Sequence, residues 1–140
     1  MEDIDQLTPL MKVLCERFKV IFYERPWELD IKFKIESSPR SVIVAEDEDR
    51  NDLIGMVLVD IGRDPYSGAI IGQIYNFIIE DEYREKGIGS KLIEGALDFC
   101  RTNKVSIVRV NARREVTPAI KLYEKFGFTE RFIVMERELD

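Results

Sequence analysis

A run of β-branched and aromatic residues, Ala69–Ile79, is followed by a short polar stretch and then by Gly87, which opens a segment of helical period. In that segment Ile88, Leu92, Ile93, Ala96, Leu97 and Cys100 fall on one face. Val105–Val110 is a further apolar run of strand length. A strand, a helix and a second strand in that order require locally parallel pairing and a right-handed crossover. Upstream, Ser41–Ala45 and Leu53–Ile61 read as strands, separated by acidic Glu46–Asp52 and followed by the loop Gly62–Gly68. Two short connections in succession make an antiparallel meander. The expected fold is therefore mixed α/β, a mostly antiparallel sheet flanked by helices.

The flanks add helices. Leu7, Leu10, Met11, Leu14 and Phe18 recur at helical spacing, and Thr8-Pro9 reads as an N-cap and first-turn pair. Residues 27–36 are ambiguous. Trp27, Leu29, Ile31, Phe33 and Ile35 alternate with charged residues as a strand does, yet Glu28–Lys32 and Asp30–Lys34 are acid-before-base pairs at helical spacing. Thr117-Pro118 opens a last helix carrying Ile120 and Tyr123, which Gly127 closes, and Phe132–Met135 reads as a final strand. The 140 residues are expected to form one domain, 1–140.

Composition removes several chemistries. The chain has no histidine, so Ser–His–Asp, Cys–His and histidine general-base catalysis are excluded, as is His-ligated zinc. The net charge of −6 argues against nucleic acid as a partner, because that needs a basic footprint. Apolar runs are short and broken by charges, so no membrane span is expected, and the start shows no secretory pattern. Cys15 and Cys100 can pair at most once and are expected to be reduced, in a cytoplasmic protein.

The stretch Arg84-Glu85-Lys86-Gly87-Ile88-Gly89-Ser90-Lys91 lies between a strand and a helix. Glycines there let backbone N–H groups approach a ligand, and a helix N-terminus attracts anions. Arg84, Lys86 and Lys91 concentrate positive charge in an acidic chain, so the stretch reads as a phosphate or pyrophosphate cradle. An ordinary strand-to-helix turn with solvated charges is the competing reading. The dinucleotide fingerprint is not met, since Leu92 stands where its third glycine belongs, and no Gly-Lys-Ser/Thr triplet completes a Walker loop.

Arg84-x-x-Gly87-x-Gly89 resembles the R/Q-x-x-G-x-G/A loop of the GNAT superfamily of N-acetyltransferases, which holds the pyrophosphate of acetyl-CoA. Ala119-Ile120-Lys121-Leu122-Tyr123-Glu124-Lys125-Phe126-Gly127-Phe128 resembles that family's A-I-x-L-Y-E-K-x-G-F segment. One helix and one strand separate the two segments, as the family requires.

The resemblance implies a splayed strand pair in the sheet, with the family's first strand absent or very short. Phe77, Ile78 and Ile79 match the splayed strand that pairs with the pantetheine arm, in the manner of an added β-strand. Arg84, Glu85, Lys86, Gly87, Ile88, Gly89 and Ser90 match the pyrophosphate loop. Tyr123 matches the tyrosine that protonates the departing thiolate, and the N–H of Ile79 would suit the oxyanion. Glu80, at the end of that strand, is the candidate general base through water, ahead of Asp81, Glu82 and Glu115, since Asn111 stands where some relatives carry a glutamate. Asp81 replaces a frequent proline, and Val116 a frequent asparagine.

The implied activity is transfer of an acetyl group from acetyl-CoA to a primary amine, on a small molecule or a peptide N-terminus, with no metal. The alternative is a non-catalytic CoA-binding or regulatory module on the same fold. A homodimer is the expected assembly. The resemblance also favours a helix over residues 27–36, with Phe22, Tyr23 and Trp27 near an acceptor pocket.

Overall fold

A computed structural model describes residues 2–139. The elements are α1 (Glu2–Phe18), α2 (Glu24–Ser37), a 3-10 turn (Pro39–Ser41), β1 (Val42–Asp47), β2 (Asp52–Arg63), β3 (Ile70–Ile79), a second 3-10 turn (Asp81–Tyr83), α3 (Ile88–Thr102), β4 (Ile107–Val110) and α4 (Thr117–Lys125). The sheet runs β1-β2-β3-β4. Its first two pairings are antiparallel and β3–β4 is parallel, with α3 as the crossover. Among the described residues no strand precedes α1.

Alternation along the strands builds two apolar layers. Met56, Leu58 and Ile78 pack with Leu7, Leu10, Met11 and Leu14 of α1 and Ile31 of α2. Val57, Val59 and Ile74 pack with Leu92, Ala96 and Cys100 of α3 on the other face. Each of the Val, Leu, Ile and Met side chains among these contributes roughly 1.5–3 kcal/mol on full burial. Cys15 and Cys100 are unpaired.

Helix α1 starts earlier than Thr8-Pro9 suggests. Thr8 does not cap; its hydroxyl donates to the Ile4 carbonyl at 2.9 Å, and Pro9 sits inside the helix. Proline forfeits one helical hydrogen bond. The turn before it is held instead by Ile4, packed on the core, and by Gln6, whose Oε1 accepts from the Leu53 N–H at 2.7 Å.

Residues 27–36 lie in α2. Their alternation is compatible with a helix because every second apolar residue, Trp27, Ile31 and Ile35, also recurs at every fourth position. Those three face the core, while Leu29 and Phe33 are exposed. Lys34 does not pair with Asp30. It reaches across to the sheet, donating to the Val59 carbonyl and to Asp60 Oδ1, each at 2.5 Å.

The strand expected at Phe132–Met135 does not form. These residues are exposed, and residues 129–139 make no backbone hydrogen bond among the described residues. The neighbouring strand explains this. The run expected at Val105–Val110 narrows to the four residues of β4, a short edge for pairing, and Phe132 meets it through the Arg109 guanidinium, 4.9 Å from the ring centre.

The β2–β3 loop is tied to β4 by Asp64. Its carboxylate accepts from the Ser67 N–H and hydroxyl, each at 2.8 Å, and from Arg109 Nη2 at 2.9 Å. Those donors hold its pKa down, from 3.8 to about 2. A depressed carboxylate pKa contributes stability that is fully present above the unfolded value and is lost as pH falls through the folded one. Asp64→Asn is thus expected to lower the melting temperature at pH 7. The gap to the parent should narrow as pH falls from 3.8 towards 2, read by thermal denaturation across that range.

Candidate active site

Pairing between β3 and β4 stops at Ile74–Val110. Phe77, Ile78 and Ile79 therefore have β2 on one side and no strand on the other. The Glu80 N–H donates to the Ile54 carbonyl at 2.8 Å, which makes Gly55–Ile79 a non-hydrogen-bonded pair. The N–H and C=O of Ile79 consequently point away from β2, along the open edge. Upstream, two β3 residues, Asn76 and Phe77, stand opposite the single residue Val57 between the Met56–Ile78 and Leu58–Tyr75 pairs, with Asn76 at φ 50° as the bulged residue.

The open edge leads into the glycine stretch. Glu85 and Gly87 have φ of 64° and 81°, and α3 begins at Ile88. Among the described residues no side chain caps the helix, and Lys91 N–H to Gly87 C=O, 3.3 Å, is its first backbone bond. The amides of Ile88, Gly89 and Ser90 are left free for an external acceptor, at the positive end of the helix dipole. Around Gly87 a Cβ would meet nothing within 4 Å, so space for a ligand lies there. The stretch is anchored from below. The Tyr83 hydroxyl donates to Asp47, Arg50 donates to that hydroxyl at 3.0 Å, and Lys86 Nζ lies 5.6 Å from the Tyr83 ring centre.

Gly89 marks where the walls meet. A Cβ there would lie 3.2 Å from Leu122, 3.3 Å from Ile79 and 3.3 Å from Phe77. Helix α4 thus brings Tyr123 alongside, its ring centre 6.1 Å from that of Phe77 and 5.9 Å from that of Phe128. Gly127, at φ 89°, closes the helix, and the Phe128 N–H returns to the Tyr123 carbonyl at 3.1 Å. Tyr123 is buried, and burial pushes its phenol up to about 12. No side-chain polar atom among the described residues is both buried and unpartnered, so its unbonded hydroxyl reaches solvent.

The carboxylates lie at the rim. Glu80 turns towards Arg50, at 4.0 Å, and Asp81 accepts from Arg17 at 2.5 Å with Arg84 3.7 Å away. Glu115 pairs with Arg113 at 3.7 Å. On the α2 side Phe22 and Trp27 meet edge to face at 5.9 Å, while Tyr23 is exposed. Trp27 also lines a cleft of about 730 Å³ with Asp30, Lys34, Asp60 and Tyr75. The Tyr75 hydroxyl donates to Asp60 at 2.9 Å, and burial with that carboxylate raises its pKa. No group of three or more carboxylates and cysteines among the described residues is placed to hold a metal.

Arg17 is a site residue that the sequence did not disclose. From the last turn of α1 its Nη2 donates to the Ile79 carbonyl at 2.8 Å. The two residues are 62 positions apart, and a basic residue in a last helical turn has an ordinary role facing the dipole.

The profile of the acetyltransferase (GNAT) family matches residues 7–128. The chain belongs to that family. GNAT proteins of known structure share its fold. Glucosamine-6-phosphate N-acetyltransferase from Arabidopsis thaliana superposes with a TM-score of 0.72 at 21% identity, covering 95% of this chain and 88% of that one. Ribosomal-protein-alanine N-acetyltransferase from Brucella melitensis biovar Abortus 2308 gives 0.74 at 20% identity, over 99% and 94%. An uncharacterised N-acetyltransferase of Methanocaldococcus jannaschii is 28% identical over 64 residues, which is 46% of this chain and 28% of that relative's length. Membership of the GNAT family supports acetyl transfer as the general activity.

Proposed function

We propose that this GNAT protein transfers the acetyl group of acetyl-CoA to a primary amine, on a small molecule or a peptide N-terminus. One observation carries the reading: the unpaired edge of β3 runs directly into a helix start with free amides, and Tyr123 stands beside both. An extended amide chain ending in a pyrophosphate is the ligand that such a continuous edge and turn fit. Acetyl-CoA supplies the activated thioester.

The chain's own groups then divide the work. Phe77, Ile78 and Ile79 present the backbone edge, and Arg84 through Ser90 surround the anionic part. The outward N–H of Ile79 is placed to donate to the carbonyl oxygen as negative charge grows on it. Glu80, at the end of the same strand, takes the amine proton through water. Tyr123 donates to the leaving sulfur. Its phenol, at about 12, is protonated at neutral pH. It is a weaker acid than an ordinary thiol, so it stabilises the thiolate by a hydrogen bond rather than by releasing a free proton. Both cysteines are unpaired, which fits a reducing compartment such as the cytoplasm.

The test is thiol release from acetyl-CoA with a panel of amines, followed across pH. With no histidine to titrate near 6.5, kcat/KM is expected to rise as the acceptor amine deprotonates. No falling limb should appear below about pH 10, because Tyr123 keeps its proton there. CoA binding without thiol release across the panel would favour the non-catalytic CoA-binding module.

A further inference from the structure

The end of α1 touches both walls of the open edge. Arg17 bonds to the Ile79 carbonyl at 2.8 Å and to Asp81 Oδ1 at 2.5 Å, on the β3 side. The next residue, Phe18, has the Arg113 guanidinium 4.3 Å from its ring centre, and Arg113 lies between β4 and α4. The Ile79 carbonyl is one of the outward groups that an added strand would use, and Arg17 already holds it. Asp81, two residues on, supplies the carboxylate that keeps the guanidinium at that carbonyl.

We propose that Arg17 is a latch on the cofactor-pairing edge and that Asp81 sets its strength. In the free protein Arg17 fills the hydrogen bond that an amide of the pantetheine arm takes. Binding that arm requires Arg17 to leave the Ile79 carbonyl. Arg17 is thus a positioning residue that lowers apparent cofactor affinity by the fraction of time the edge is closed. The inference rests on the acetyl-CoA reading, but its prediction is opposite to that of a simple cofactor ligand. An arginine that contacts the cofactor would weaken binding when removed; a latch strengthens it.

The experiment is calorimetric titration of CoA into the full chain and its Arg17→Ala, Asp81→Asn and double variants, each checked by thermal melt. Arg17→Ala is expected to bind CoA about 3–10-fold more tightly. Asp81→Asn should gain less, and the double variant no more than Arg17→Ala, because both changes open one contact. Adenosine 3′,5′-bisphosphate lacks the pantetheine arm and should bind parent and Arg17→Ala equally. If Arg17→Ala fails to fold, Asp81→Asn alone carries the comparison. Equal or weaker CoA binding by the variants, or an equal gain for the bisphosphate, overturns the latch and leaves the acetyl-CoA reading intact. CoA binding by no form of the protein overturns both.

Discussion

Tyr123→Phe is expected to lower kcat about 10²-fold while CoA affinity stays within about threefold of the parent. The change removes one oxygen and keeps the ring that packs between Phe77 and Phe128. That oxygen has no hydrogen-bond partner among the described residues, so the packing does not depend on it and the melting temperature should not fall. What goes is the donor beside the open β3 edge. Steady-state kinetics together with a CoA titration separate the two quantities. A variant with unchanged kcat would remove Tyr123 from the chemistry. An equal loss in CoA binding would make it a binding residue instead.

Gly89→Val is expected to reduce kcat/KM for acetyl-CoA on the order of 10²-fold, and to destabilise the fold as well. The Cβ would already lie 3.2–3.3 Å from Leu122, Ile79 and Phe77, and two further methyl groups would have to be accommodated. Overpacking of this kind costs about 1–3 kcal/mol. The strain falls where α3 starts, so the free amides of its first turn shift relative to the β3 edge, and small misplacements are costly to catalysis. Gly87→Ala makes a useful contrast. There a Cβ meets nothing, and the penalty is the positive φ of 81°, about 1–2 kcal/mol. Thermal melts and kinetics on the two variants should differ accordingly; a Gly89→Val protein that melts and turns over like the parent would contradict the packing argument.

What the sequence disclosed and what it hid have physical reasons. The meander, the crossover and the glycine turn are written in local patterns, and the structure keeps them. Tyr123 could be singled out because a motif ten residues long surrounds it. Residues 27–36 were ambiguous because positions 27, 31 and 35 satisfy two periods at once, and only the core they face decides between them. Phe132–Met135 has strand composition, but a strand also needs a partner edge, and β4 is four residues long. Arg17 lies beyond any local reading. Its role comes from a chain reversal that brings the end of α1 to the end of β3, 62 residues away.

The extra residue at Asn76 acts on the parity of everything after it. Before it, Ile74 faces α3 and Tyr75 faces the α1–α2 layer; after it, Phe77 and Ile79 face α3 and Ile78 faces the α1–α2 layer. Were that residue paired in the ladder instead of set aside, the alternation would run on through it and each of the last three side chains would change sides. Losing Asn76 would leave Phe77, Ile78 and Ile79 on their present faces, since two residues now stand opposite Val57 where a regular ladder has one, but it would take out the bend that the extra residue puts into β3 just before the open edge. At φ 50° position 76 should accept Gly or Asp far better than a β-branched residue, and its loss should straighten the strand without inverting its faces.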